Sequence, residues 1–441
     1  MLRSLQAART ESPNEVLKHA VDLMNANLFF AASCVLKMLH GSLSDADRPK
    51  TAALLAQCGL ALGSHELMQH AKEGAALGAQ MRNVIGFVQE KELHQHMLRL
   101  CEEDCRSLPE AHAPSPAGDF CVAICAGGPK LMLQLWANLH SLVGTGFEGV
   151  DVVIVHADEI GEAEVDAFGR EFGRSLRLRF LDVGACAELV RRVGGGAGAL
   201  RGYQIKMAAM CVLNYGRVLL CDADILWLRN PLETIPRDRD LFVFSDIWHF
   251  RAKRHDKSST TSFLYRLHGV DSDVQEFESG VVYLDRAAAP GVVRMLFHMC
   301  VHHKYYFNLA FGDKDLYYLA ARRRGASVRL CPRLPMMLGT VADGEFTSQS
   351  MVQSVEAGPS HVHTTLHPIG DENAATPTHI CRESDDIHFV ERTIAGKRVG
   401  TVACDLDRCD ALDAVTIYSC AYASAFACAK TFSASAPEGG P

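Results

Sequence analysis

The residues best placed to do chemistry are Asp222-Ala223-Asp224. They directly follow the apolar run Val218-Leu-Leu-Cys221, and two carboxylates one residue apart at the end of a buried strand can hold a hard divalent cation through oxygen. Oxygen donors of this kind favour manganese or magnesium. The chain carries the same spacing at Asp271–Asp273 and Asp405–Asp407, but neither follows a buried strand, so both read as solvated loops. Two further clusters have acid–base character: Glu278 beside Ser279-Gly280, and Asp313-Lys314-Asp315 ahead of the helical run Leu316, Tyr317, Leu319 and Ala320. In the second cluster Asp313 can equally serve as a helix N-cap. Late in the chain, His361-Val362-His363 with His367 forms a histidine cluster that could supply a distant ligand or lie on a surface loop.

These groups need a scaffold, and the residues around them predict one. Phe120–Ala126, Val150–Val155 and Val218–Cys221 are apolar enough to be buried strands, Leu176–Leu181 reads as a further strand, and helical patterns separate them. The alternation predicts parallel βαβ units with helices on both faces of the sheet, whose ligands sit beyond the carboxyl ends of the strands. Lys206 belongs to the helix before the fourth strand, over about residues 203–214.

Ahead of this scaffold, residues 1–106 read as helices. Ser12-Pro13-Asn14-Glu15 is a capping box, and Val16, Leu17, Ala20, Val21 and Met24 follow at helical spacing. Further helices are expected after Asn27, near Pro49, after Gly63-Ser64 and from about Met81 to Cys105. The helix pairs recur at about 36 residues, near the period of tetratricopeptide-type arrays. Such a domain can be a helical cap or a docking site for a protein partner. Residues 107–118 hold three prolines without periodicity and read as a linker; 119–370 form the α/β domain; 371–441 form a C-terminal extension with a disordered tail.

Composition removes several classes of function. The 441 residues are 48% apolar and 22% charged, enough to build a core and too apolar for a wholly disordered chain. A net charge of −8 offers no basic field for a nucleic acid. The 16 cysteines include no C-x-x-C pair, so zinc-finger spacing is missing and buried thiols are expected. The first 30 residues are interrupted by charges, so neither a signal peptide nor a transmembrane anchor is expected there.

The motifs, taken in order, also carry a resemblance. GYQIKMAA at Gly202, VLLCDADILWLRNPLETI, FESGVVYLD at Phe277, FGDKDLYYLA at Phe311 and Met351-Val-Gln resemble the alpha-mannosyltransferases of the fungal Golgi type. These are retaining enzymes with the GT-A fold, distantly similar to glycogenin-like glycosyltransferases, and the resemblance covers about residues 118–367. It implies a GT-A nucleotide-diphospho-sugar transferase domain that moves mannose from GDP-mannose to a glycan or glycoprotein hydroxyl with Mn2+ or Mg2+. It further implies metal ligands Asp222, Asp224 and His363, donor contacts from Lys206, Asp222, Gly280 and Lys314, and catalytic roles for Glu278, Asp313 and Asp315. Glu278 would hold sugar hydroxyls or steady an oxocarbenium-like transition state, and Lys314 would neutralise diphosphate charge. A carboxylate nucleophile and front-face departure are both compatible with retention. Val281 departs from the family, which has glutamine after E-S-G, and the family's lumenal anchor is missing, so both Golgi and cytoplasmic placements stand. ILWLRNPL also looks like UDP-sugar-dependent plant-type arabinosyl or xylosyl enzymes, and a scaffold acting through the helical domain is the alternative outside catalysis.

Overall fold

The computed structural model describes residues 12–25, 29–42, 48–62, 91–107, 119–127, 129–193, 200–249, 257–271, 275–310, 312–342, 345–364, 379–381, 388–394, 397–403 and 409–411. The chain divides into two compact units, each contributed by more than one stretch of sequence.

The first unit comprises Met1–Ser107, His249–Gln275 and Lys304–Gly312. Its helices Pro13–Asn25, Phe29–Ser42 and Arg48–Leu62 close on a core of Val16, Ala20, Leu36, Leu39 and Leu55. The capping box forms: the Ser12 backbone N–H donates to Glu15 Oε2 at 3.0 Å, and the Glu15 N–H donates to Ser12 Oγ at 3.4 Å. Helix Lys257–Leu267 packs on Arg48–Leu62, and His94 Nδ1, on helix Lys91–Ser107, lies 2.9 Å from the Tyr305 hydroxyl. The helical unit therefore draws on two segments from far along the chain, where periodicity placed only residues 1–106. The helix expected after Gly63-Ser64, the 81–90 stretch, the linker and the tail after 411 lie outside the described residues.

The second unit contains a seven-stranded sheet built from β1 (Phe120–Cys125), β2 (Asp151–His156), β3 (Arg177–Asp182), β4 (Arg217–Asp222), β6 (Leu241–His249), β7 (Gln275–Asp285) and β8 (Val328–Leu330). Their order is β3-β2-β1-β4-β7-β6-β8. The first four strands are mutually parallel, as the alternation predicts, and bury Val122, Ile124, Val152, Ile154 and Leu219 against Leu135 and Trp136 of helix Pro129–Gly144. Cys121 and Cys125 are buried free thiols, and burial pushes both up. The architecture is α/β, with a mainly parallel central sheet and a helical N-terminal region.

One strand runs against the βαβ expectation. β7 is antiparallel to β4, with Cys221 opposite Val281 and Arg217 opposite Asp285. Because of that reversal, the first residues of β7 lie beside the last residues of β4, so Ser279-Gly280 arrives next to Asp222. A parallel β7 would have carried Glu278 to the opposite edge of the sheet.

A second, antiparallel sheet completes the frame. It contains β5 (Ile225–Trp227), β9 (Met336–Ala342), β10 (Glu345–Val355), β11 (Gly358–His363), β12 (His379–Cys381) and β15 (Cys409–Ala411), in the order β15-β12-β9-β10-β11-β5. Two strands of the expected C-terminal extension thus belong to this sheet, while β13 (His388–Ile394) and β14 (Lys397–Ala403) form a separate hairpin. Among the described residues, no helix is long and apolar enough to cross a membrane.

The turn between β4 and β5 is pinned from the helix side. Asn138 Nδ2 donates to the Asp222 carbonyl at 3.1 Å, while Trp227 Nε1 donates to Asn138 Oδ1 at 3.2 Å, and Asn138 is fully buried. Replacing Asn138 with Ala strands an indole N–H and a backbone carbonyl, so the expected loss of unfolding free energy is about 2–5 kcal/mol. Urea denaturation with tryptophan fluorescence checks this.

Candidate active site

Asp222 is the last residue of β4 and Asp224 lies in the turn before β5, so both carboxylates stand at the carboxyl end of the parallel strands. Strand β11 brings in the third group. It pairs antiparallel with β5, His363 opposite Ile225, and the Thr364 backbone N–H and Oγ1 both donate to the Asp224 carbonyl at 3.0 and 3.1 Å. His363 Nε2 consequently lies 3.2 Å from Asp224 Oδ1 and 3.9 Å from Asp222 Oδ2. One donor atom from each of Asp222, Asp224 and His363 falls within 4.8 Å of the other two. Two carboxylate oxygens and one imidazole nitrogen form a donor set suited to Mn2+ or a similar ion.

The other histidines of the late cluster separate from it. His361 is buried against Phe244 and Trp227, with ring centroids 4.9 and 5.4 Å away, and burial depresses its pKa to about 3, with His363 adding to the effect. Its ring is a core aromatic. His367 lies outside the described residues.

Lys206 occupies the centre of the charge arrangement. It sits in helix Tyr203–Val212 with only 5% of its surface exposed. Its ammonium donates to Asp222 Oδ2 at 3.1 Å, to the Ser279 carbonyl at 2.9 Å and to Ser279 Oγ at 3.0 Å, and lies 3.3 Å from Asp313 Oδ2. Burial alone would lower the pKa of this amine, but Asp222 and Asp313 outweigh it and raise the pKa instead. Asp313, itself 1% exposed, also accepts from Ser279 Oγ at 3.3 Å. It occupies the N-cap position of helix Lys314–Arg323 without a side-chain cap bond, so its carboxylate is turned to Lys206 and Ser279.

Glu278 lies on the other side of the histidine. Its Oε1 accepts the Gly280 N–H at 2.7 Å and stands 3.4 Å from His363 Nδ1. Gly280 is required by space: a Cβ there would fall 2.6 Å from His363 Cε1 and Nδ1.

The remaining sequence candidates form a group of their own. Lys314 donates to Asp246 Oδ2 at 2.8 Å and to Glu276 Oε2 at 2.7 Å, so buried carboxylates hold its charge. Asp315 Oδ1 accepts the Phe277 N–H at 3.5 Å, and burial pushes its pKa to about 7 against the opposing pull of Lys314. Sequence reasoning missed Asp246 and Glu276 as partners of Lys314. Asp246 carried a signal, as an acid shortly after the apolar run Leu241–Phe244; Glu276 did not, since β7 also holds Gln275, Glu278, Ser279 and Asp285.

Protonation follows from this packing. For His363, burial disfavours the imidazolium, but Asp224 and Glu278 reverse the effect and hold its pKa well above the usual value. For Asp222, burial dominates over Lys206 and lifts the pKa to about 7. Burial also opposes the Asp224 and Glu278 carboxylates, yet His363 outweighs it and lowers both, Glu278 to about 2.

No family model matches the chain, and no curated protein matches it. Among solved structures it is similar to galactosyltransferase LgtC in complex with donor and acceptor sugar analogs, at 16% identity and TM-score 0.33, over 48% of this chain and 73% of that one. It is also similar to the mannosyltransferase Ktr4p from S. cerevisiae, at 10% identity and TM-score 0.30, over 54% and 78%. The glycosyltransferase GlyE of Streptococcus pneumoniae TIGR4 overlaps at 13% identity and TM-score 0.31, over 47% of this chain and 44% of that one. Overlaps of this depth carry nothing about the reaction of this chain.

Two outcomes follow from the geometry. Gly280→Ala displaces His363 and is expected to weaken Mn2+ binding at least about tenfold with the fold retained, since a misplaced ligand costs affinity of that order; calorimetric titration and circular dichroism check both halves. Metal-free His363 carries a proton that an ion must displace, so Mn2+ affinity should rise with pH, by about tenfold per unit for each proton released below its pKa. Titrations in buffers of different ionisation enthalpy count the protons, and an affinity flat from pH 6 to 8 would contradict that reading.

Proposed function

We propose that the chain is a metal-dependent retaining glycosyltransferase that moves a sugar from a nucleotide-sugar donor, GDP-mannose, to a hydroxyl of a glycan. One observation carries the reading: Asp222 and Asp224 share a 4.8 Å cluster with His363, although a long stretch of chain separates them in sequence, at the strand ends where α/β sheets bind ligands. The order of the sequence motifs supports mannose as the sugar and, by the same resemblance, a Golgi compartment.

An ion in this site would supply Lewis-acid neutralisation of the leaving diphosphate. The chain's own groups do the rest. Asp222, Asp224 and His363 would hold the ion, and the Lys206 ammonium beside Asp222 would add a second positive charge at that end of the sheet. Asp313, buried, bonded to Ser279 and facing Lys206, fixes that ammonium beside Asp222. Lys314 steadies the carboxylates of Asp246 and Glu276 and so supports the start of β7. Helix Lys314–Arg323 also directs its N-terminal dipole toward this end of the sheet, which favours negative charge there. During transfer the acceptor oxygen bonds to the anomeric carbon, the bond from that carbon to the diphosphate oxygen breaks, and the acceptor proton passes to a nearby basic oxygen.

Release of nucleoside diphosphate from a panel of GDP- and UDP-sugars, with Mn2+ and with chelator, tests the proposal. The expected result is Mn2+-dependent turnover of GDP-mannose in the presence of an oligosaccharide acceptor, reduced about a hundredfold or more by Asp224→Ala. Turnover of a UDP-sugar alone would replace the donor assignment. Wild-type turnover by Asp224→Ala would end the metal assignment.

A further inference from the structure

His363 presents two edges to two different carboxylate environments. Nε2 faces Asp224 and Asp222, at 3.2 and 3.9 Å, whereas Nδ1 faces Glu278 at 3.4 Å. The ring cannot exchange these edges freely. It is 5% exposed, lies over Gly280 where a single added carbon would collide with it, and sits at the end of a strand tied to the Asp224 carbonyl by Thr364. Glu278 is fixed as well, since the Gly280 N–H donates to its Oε1 at 2.7 Å and sets the carboxylate toward the imidazole. Nδ1 is buried without a formed hydrogen bond among the described residues, and the Glu278 carboxylate stands 3.4 Å from it.

An imidazole that ligates a cation through one nitrogen must carry its proton on the other, and the acceptor of that proton decides the tautomer and the ring angle. We propose that Glu278 is a positioning residue that accepts the Nδ1 proton of His363, so that Nε2 turns its lone pair to a divalent cation shared with Asp222 and Asp224. The inference rests on the metal set proposed above and gives Glu278 a different task from attack on the sugar. Its oxygen nearest the ring is already committed to Gly280 and His363, which suits orientation better than nucleophilic attack. The same arrangement explains why E-S-G is a unit: the acid orients the ring, and the glycine two residues later makes room for it.

The test measures Mn2+ affinity, by electron paramagnetic resonance of the free ion, for the full-length wild type, Glu278→Gln and Glu278→Ala. Removing the carboxylate partner of a ligating histidine weakens metal binding by about 10–100-fold. Glu278→Ala is expected to show a loss of that size. Glu278→Gln keeps an acceptor oxygen and should lose less, with its transfer activity recovering as Mn2+ is raised to saturation. Equal Mn2+ affinity in all three proteins, with transfer lost in Glu278→Gln at every Mn2+ concentration, would overturn the positioning role and indicate direct participation in the chemistry. A wild-type chain that takes up no Mn2+ would overturn the metal set itself, and the positioning role with it. Thermal unfolding of the variants confirms that any loss is local.

Discussion

A single buried ammonium organises this molecule's chemistry. Lys206 has almost no contact with water, and a lone charge so placed would be expelled or neutralised. It is retained because Asp222, Ser279 and Asp313 converge on it, and those residues come from β4, β7 and the start of helix Lys314–Arg323. The relation is mutual. Without the lysine, the carboxylates of Asp222 and Asp313 would face each other at low dielectric with nothing between them, which is the situation that makes broken buried ion pairs so costly. The pairing therefore fixes the position of three elements at once, and the open side of Asp222 is left for Asp224 and His363 to share.

Chain direction is the second organising constraint. Had β7 run parallel to β4, its acidic start and the end of β4 would lie at opposite edges of the sheet. Had β11 not paired antiparallel with β5, His363 would have no route to the Asp222–Asp224 turn. A β-strand delivers only its ends to a crevice at the sheet edge, so both the E-S-G segment and the late histidine had to sit near a strand end.

Much of this could be read from the residues, for identifiable reasons. The strands β1, β2 and β4 are apolar runs set off by helical periodicity, β3 alternates arginine with apolar residues, and Asp222 and Asp224 stand out because they interrupt the apolar character where a strand finishes. Residue type alone did not separate His363 from His361, because alternate residues of a strand share a face; the family resemblance singled out His363, and packing against Phe244 and Trp227 shows that His361 belongs to the core. The direction of β7 was illegible, since alternation of side chains is the same for either polarity. The second sheet was illegible too: β5, β12 and β15 are three residues each, and no local pattern distinguishes them from loops. The pairing of Lys314 with Asp246 and Glu276 depends on β6 and β7 being neighbours, a long-range fact.

The interleaving of the two units bears on how the chain is made. A polypeptide leaves the ribosome from its N-terminus, and domains of continuous sequence can close as they emerge. Here the helical unit is complete only at Gly312, by which point most of the strands of the first sheet have already been synthesised, and that sheet cannot seat β7 until 249–275 has been passed. The helical unit can therefore close at Gly312, ahead of β8 and the second sheet, while β4 waits with an unpaired edge until β7 has been translated. A nascent chain halted between β4 and β7 would present the free edge of β4, a surface that templates pairing with another chain.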